Sequence, residues 1–128
     1  MPGSTIDKFY SAYNDRNPEV LRTIAHDEYR VYDNAASYSL QEHIDFIKRF
    51  IDVVPNFRFE MQDEIASGDK IVRRWIGRGK LEKEFFGIPP GHSFAVNGVG
   101  VFRLAEGKII EGWTVWDQAS FVSQLTAK

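Results

Sequence analysis

Residues 39–55, SLQEHIDFIKRFIDVVP, constrain the fold more than any other stretch. Ser39 and Glu42 have the spacing of a capping box, and helix periodicity runs from Leu40 to Val54, where Pro55 stops it. At about 100° per residue, Leu40, Ile44, Phe46, Ile47, Phe50, Ile51, Val53 and Val54 cover about half the helix circumference. A stripe that wide suits a helix clamped against a curved sheet.

The rest of the chain supplies the sheet. Ser4 with Asp7 resembles a capping box opening a first helix, and Ile6, Phe9, Tyr10 and Tyr13 follow one buried helical face. Asn17-Pro18 caps and restarts a second short helix, which ends near His26. Tyr29 to Asp33 reads as a short strand. After the long helix come strands Phe57 to Ile65, Lys70 to Leu81, Ser93 to Leu104 and Ile109 to Asp117. Turns at Ser67-Gly68-Asp69 and Glu106-Gly107 join two pairs of them, and FFGIPPG (residues 85–91) forms a rigid loop. Gln118 to Leu125 closes the chain as a helix. The expected order is α-α-β-α-β-β-β-β-α, an α+β fold in which a strongly bent antiparallel sheet wraps a long helix. Such a sheet leaves a conical cavity open at one end, a pocket for one small apolar ligand.

At 128 residues the chain makes one domain, residues 1–128, with no internal boundary. Sixteen Lys and Arg against eighteen Asp and Glu give a net charge of −2, which makes no case for nucleic acid or an anionic membrane as partner. With no cysteine there is no disulfide or thiolate metal site. The N-terminus lacks the basic flank and apolar run of a signal peptide, so the cytoplasm is the expected location. The three His show no metal-ligand spacing, and no metal is expected.

Candidate chemistry sits at strand ends. Counting by twos puts Asp117 with Val115, Trp113 and Glu111 on one strand face. Its carboxylate is either a group whose pKa an apolar pocket raises, able to take and give a proton near neutral pH, or the N-cap of the closing helix. Trp113 reads as a pocket-wall or core residue. Trp116 points to the other face, as core or subunit contact. Trp75 shares parity with Ile71 and Arg73, so Arg73 either holds a ligand oxygen or pairs with an acid. Asp33 shares parity with Tyr29 and Val31 and is either an inward carboxylate or, with Asn34, part of a turn. His43, in the apolar arc of the long helix, is a core or rim histidine or a proton-transfer group. His92 overhangs the pocket mouth or is solvated.

The segment FFGIPPG…VFRLAEGKIIEGWTVWDQASFVSQL resembles the C-terminal half of the SnoaL-like polyketide cyclases, which belong to the nuclear transport factor 2-like superfamily. The matching residues are Phe86-Gly87-Ile88-Pro89-Pro90, Phe102-Arg103, Gly107-Lys108-Ile109, Glu111, Trp113, Asp117 and Gln124-Leu125. The resemblance implies a conical α+β barrel, with Asp117 as acid/base for an intramolecular aldol ring closure without metal or cofactor. Two departures stand out. Leu81 replaces the family's pocket His, and Pro90-Gly91-His92 lacks the Thr of the family's loop. In ketosteroid isomerases of the same superfamily, a base on the corresponding strand works with a Tyr of the first helix. Asp33 with Tyr10 and Tyr13 resembles that pairing.

The function expected is therefore a cofactor-independent cyclase or isomerase acting on a small apolar cyclic, polyketide-like or terpenoid-like substrate. Asp117, Asp33 and His92 are the candidate catalytic residues. Trp113, Trp75, Arg73, Tyr13, Tyr10, Asn34 and His43 are the candidate binding residues. The alternatives are a non-catalytic ligand-binding or accessory domain, or an epoxide hydrolase built on Arg73, Asp33 and Asp117. A homodimer through the outer sheet face, common in the fold, is the expected assembly.

Overall fold

In the computed structural model, which describes residues 2–127, the Ser39–Glu42 capping box closes as its spacing requires. The Ser39 hydroxyl accepts from the Glu42 amide at 3.3 Å, and the Glu42 carboxylate accepts from the Ser39 amide at 2.9 Å. Helix α2 (Leu40–Val53) starts there and buries Ile44 and Ile47 completely. Before it lie α1 (Pro2–Asn14), a 3-10 helix (Pro18–Thr23), β1 (Ala25–Asp33) and β2 (Ala36–Ser39). After it come β3 (Arg58–Ser67), β4 (Lys70–Lys80), β5 (Ser93–Ala105), β6 (Lys108–Trp116) and α3 (Gln118–Leu125).

The α+β class holds, with a curled sheet packed on helices. Several local expectations need correction. Helix α1 already runs at Pro2, so Ser4 lies inside its first turn, and Asp7 pairs with Arg73 rather than capping. The short strand β2 is additional, and β1 begins at Ala25 instead of Tyr29. The sheet has six strands in the order β2-β1-β6-β5-β4-β3, and it is not wholly antiparallel. Strands β1 and β6 run parallel, Val31 opposite Gly112 and Asp33 opposite Thr114. They come from opposite ends of the chain, so no hairpin turn dictates their direction.

A bulge decides which side chains enter the core. Arg103 pairs with Glu111 but Leu104 pairs with Ile109, so Ile110 is an extra residue on β6. Ile109 is fully buried, yet the bulge reverses the parity after it. Glu111, Trp113 and Val115 consequently fall on the outer face, where Val115 is 64% exposed.

The inner face is crowded with rings. Fully buried Phe102 meets Phe9 of α1 edge-on at 4.7 Å, and Trp75 meets Phe59 at 4.6 Å. Two glycines of β5 make room for this layer. A Cβ at Gly98 would lie 2.3 Å from the Trp75 ring, and one at Gly100 would lie 2.5 Å from the Tyr10 hydroxyl oxygen. No helix among the described residues is long and apolar enough to cross a membrane. Because the indole is rigid and hemmed in, Gly98→Ala is expected to cost about 1–3 kcal/mol. Chemical denaturation checks it, with an altered Trp fluorescence reporting displacement of Trp75.

Candidate active site

Between α1, α2 and the concave sheet lies a chamber of about 70 Å³ walled almost wholly by rings, among them Phe9, Tyr13, Phe50, Phe59, Trp75 and Phe121. One carboxylate belongs to that wall, Asp33. It ends β1 on the same face as buried Tyr29 and Val31, and the parallel pairing with β6 carries it to the cavity. The indole N–H of Trp116 donates to Asp33 Oδ1 at 2.6 Å. Burial disfavours the carboxylate's charge and the indole N–H favours it. Burial prevails, so the Asp33 pKa lies above the usual carboxylate value.

Tyr13, from α1, faces the same chamber. Its hydroxyl pKa is pushed well up, first by burial and then by the neighbouring Asp33 charge. The hydroxyl lies 3.2 Å from Nε2 of His43, whose Nδ1 lies 2.7 Å from the Tyr29 hydroxyl. His43 is buried, stacked on Tyr29 and Tyr38, and its pKa is lowered to about 3 because burial penalises the imidazolium. It is therefore a neutral hydrogen-bonding group rather than a general base. Tyr10 and Trp75 also line the chamber, while Tyr10 Oη and Trp75 Nε1 themselves are buried with no hydrogen-bond partner among the described residues. Burial raises the Tyr10 hydroxyl, partly opposed by the Arg73 charge.

An outer vestibule of about 530 Å³ adjoins the chamber, sharing Asp33, Phe46, Trp116 and Phe121 with it. Its rim carries Phe86, 75% exposed, at the tip of the tight Phe85–Ile88 turn. Phe86 holds the unusual φ of +48° and packs under the Arg49 guanidinium at 5.2 Å. Asn34 borders this vestibule in the left-handed region, at φ +50°, which Asn tolerates. Both ends of its amide are engaged, since Nδ2 donates to the Trp116 carbonyl and Oδ1 accepts from the Trp116 amide. Asn34 thus clamps the residue that holds Asp33.

For five of the candidate readings the geometry favours the other alternative or gives no support. Asp117 is solvent-exposed, lines neither cavity, and accepts from the Ser120 amide at 2.9 Å as the N-cap of α3. Trp113 stacks on Tyr32 at 6.1 Å on the outer face instead of walling the pocket. Arg73 is buried but committed to Glu64 at 2.6 Å and Asp7 at 2.8 Å. Burial opposes its charge, but those two acids outweigh burial and raise its pKa. His92 is exposed and lines neither the chamber nor the vestibule. The Arg73, Asp33 and Asp117 set proposed for epoxide hydrolysis does not converge, since only Asp33 reaches the chamber. Two residues were missed, Trp116 as the donor to Asp33 and Tyr29 as the second partner of His43. The bulge hides the first. For the second, the parity shared by Tyr29 and Asp33 was the available signal.

Among the described residues no cluster of three or more His, Cys, Asp or Glu could hold a metal ion. What the arrangement offers is one carboxylate of raised pKa, the hydroxyls of Tyr13 and Tyr10, and walls that are almost wholly aromatic. That is a setting for moving a proton on an apolar molecule.

The family model for SnoaL-like polyketide cyclase matches residues 4–125. Among solved structures, TsrD from Streptomyces laurentii superposes with TM-score 0.87 at 27% identity, covering 98% of this chain and 95% of that one. IdmH from Streptomyces antibioticus, described as a candidate polyketide cyclase, gives TM-score 0.85 at 25% identity and covers 98% of both chains. AclR from Streptomyces galilaeus, described as a candidate hydroxylase, gives 0.86 at 18% identity over 97% of this chain and 94% of that one, a likeness of fold alone. Among curated proteins none matches the sequence significantly.

The lowered pKa of His43 makes a stability prediction. The unfolded chain binds a proton at this residue below about pH 6.5, whereas the folded chain does so only near 3. Stability is therefore expected to fall as the pH drops through that window, by up to about 1.4 kcal/mol per unit from this group. Denaturation midpoints measured against pH should show the slope in the native protein and a flatter one in His43→Gln.

Proposed function

The chain belongs to the SnoaL-like polyketide cyclase family, and within it we propose a cyclase or isomerase that moves a proton on a small apolar cyclic carbonyl compound, with Asp33 as the general base. The observation that carries this reading is the half-buried, raised-pKa carboxylate of Asp33 held by the Trp116 indole at an aromatic chamber. A carboxylate pKa nearer neutrality both removes and returns a proton more effectively. Asp117, which the resemblance favoured, has no part in the proposal because its carboxylate is a helix cap.

In the proposed step Asp33 removes a proton from the carbon next to a carbonyl group. The electron pair shifts onto the carbonyl oxygen, and the Tyr13 hydroxyl stabilises the charge that develops there. The resulting enolate either attacks a second carbonyl of the same molecule, closing a ring by aldol addition and leaving an alkoxide, or, where a double bond extends the enolate, takes a proton at the far carbon of that system. The carboxylic acid left on Asp33 returns its proton to the alkoxide in the first route and to that carbon in the second. Neither route calls for a cofactor. The chamber of about 70 Å³ is smaller than the ~150 Å³ cavity that accommodates benzene, so the substrate enters edge first and keeps its bulk in the vestibule. A polyketide-like or terpenoid-like ring system suits those two spaces.

Assembly belongs to the same proposal. Exposed Val115 and the Tyr32–Trp113 stack give the outer face an apolar strip suited to a homodimer. Sedimentation at micromolar concentration tests it, and a strictly monomeric chain would remove it.

The chemistry is testable without knowing the natural substrate. Deuterium exchange at the α-carbon of 2-tetralone, an apolar cyclic ketone, reports proton abstraction directly. Asp33→Asn should lower the catalysed exchange rate by about 10²–10⁴-fold, and Tyr13→Phe by about 10²-fold. Asp117→Asn should leave it unchanged, since Asn caps a helix as well as Asp. Asp33→Asn should also raise the melting temperature by a few degrees at neutral pH, because it removes a charge that burial disfavours. Full exchange activity in Asp33→Asn sinks the proposal.

A further inference from the structure

The buried triplet Tyr29, His43 and Tyr13 has a direction. A neutral imidazole has one N–H donor and one acceptor nitrogen. Both His43 nitrogens face hydroxyls, Nδ1 that of Tyr29 at 2.7 Å and Nε2 that of Tyr13 at 3.2 Å. One tyrosine must therefore donate to the ring and the other accept from it. Tyr29 is 5% exposed, lines neither cavity, and has no second hydroxyl partner among the described residues. Were it the acceptor, its own hydroxyl hydrogen would be buried without a partner, which native interiors avoid. Tyr13 differs because it borders the chamber, where a ligand can take its hydrogen.

We infer that Tyr29 donates to Nδ1 of His43, that Nε2–H donates to Tyr13 Oη, and that the Tyr13 hydroxyl hydrogen is thereby left free to be donated into the chamber. Tyr29 and His43 are then positioning residues that act through Tyr13; Tyr29 lies behind the chamber wall, and His43 contributes only the side of its ring to it. They turn Tyr13 from a group that could donate or accept into a fixed donor. The chamber that Tyr13 shares with Asp33 accordingly selects a substrate oxygen that accepts, a ketone or other carbonyl in place of a hydroxyl seeking an acceptor. An oxyanion formed at that oxygen meets a donor that needs no reorientation. The inference rests on the proposed function only in taking the chamber as the substrate site.

Nitrogen-15 NMR of the histidine rings in the intact protein tests the direction without any variant. Neutral His43 protonated on Nε2 is the expected result. A ring protonated on Nδ1, or a charged ring at neutral pH, overturns the relay. The substrate class is tested with 2-tetralone labelled with carbon-13 at its carbonyl. Its resonance should move downfield when bound to the native protein and less so in Tyr13→Phe, whose fold is verified by circular dichroism. Equal shifts in the two proteins, or no binding of the ketone, overturn the assignment of a carbonyl acceptor. The tautomer result stands independently of the Asp33→Asn exchange rate, so failure of the relay and failure of the catalytic reading are separable.

Discussion

The sheet can present an aromatic concave face only because β5 is interrupted by glycine where rings must lie flat. Gly98 sits under Trp75 and Gly100 under the Tyr10 hydroxyl, each within a distance that no Cβ could occupy. The two rings in turn meet Phe59 and Phe102, which anchor β3 and α1. The chamber lies within that aromatic layer. Its position follows, since the rings of α1 and α2 converge on the end of β1 where Asp33 lies.

Elements with strong local signals were legible in the sequence. The capping box and wide apolar stripe of α2, the glycine turns and the closing helix are set by contacts within a few residues, and all appear at their expected places. What escaped depends on distant pairing. The parallel contact of β1 with β6 joins segments about eighty residues apart, and no turn chemistry announces it. The short strand β2 exists only because β1 offers it an edge. The bulge at Ile110 had the largest effect, because one inserted residue carries the whole end of β6 to the other face.

That single residue separates the two aspartates. Asp117 and Asp33 each end a strand beside aromatic residues, and by composition they are equivalent. Parity gave Asp33 the company of Tyr29 and Val31, both inward, and it gave Asp117 the company of Trp113 and Val115, both outward after the bulge. Strand periodicity ranks neighbours on one face, but it does not say which face is the core. Trp116 shows the same limit, since it was read as lying away from the site and is the residue that holds it.

The groups around the chamber share one electrostatic logic. Burial raises the hydroxyls of Tyr10, Tyr13 and Tyr29 and lowers His43, in each case by disfavouring the charged form. All four are consequently neutral throughout the range where proteins work. Asp33 feels the same penalty, which raises its pKa, and the Trp116 N–H opposes that rise. On the proposed reading the chamber therefore holds one movable proton among fixed dipoles. A second titrating group would blur which species is acid and which is base. Under the proposed function Asp33 is the group that changes charge, and the direction of proton flow is set by the substrate carbon beside it and by the Tyr13 hydroxyl that borders the same chamber.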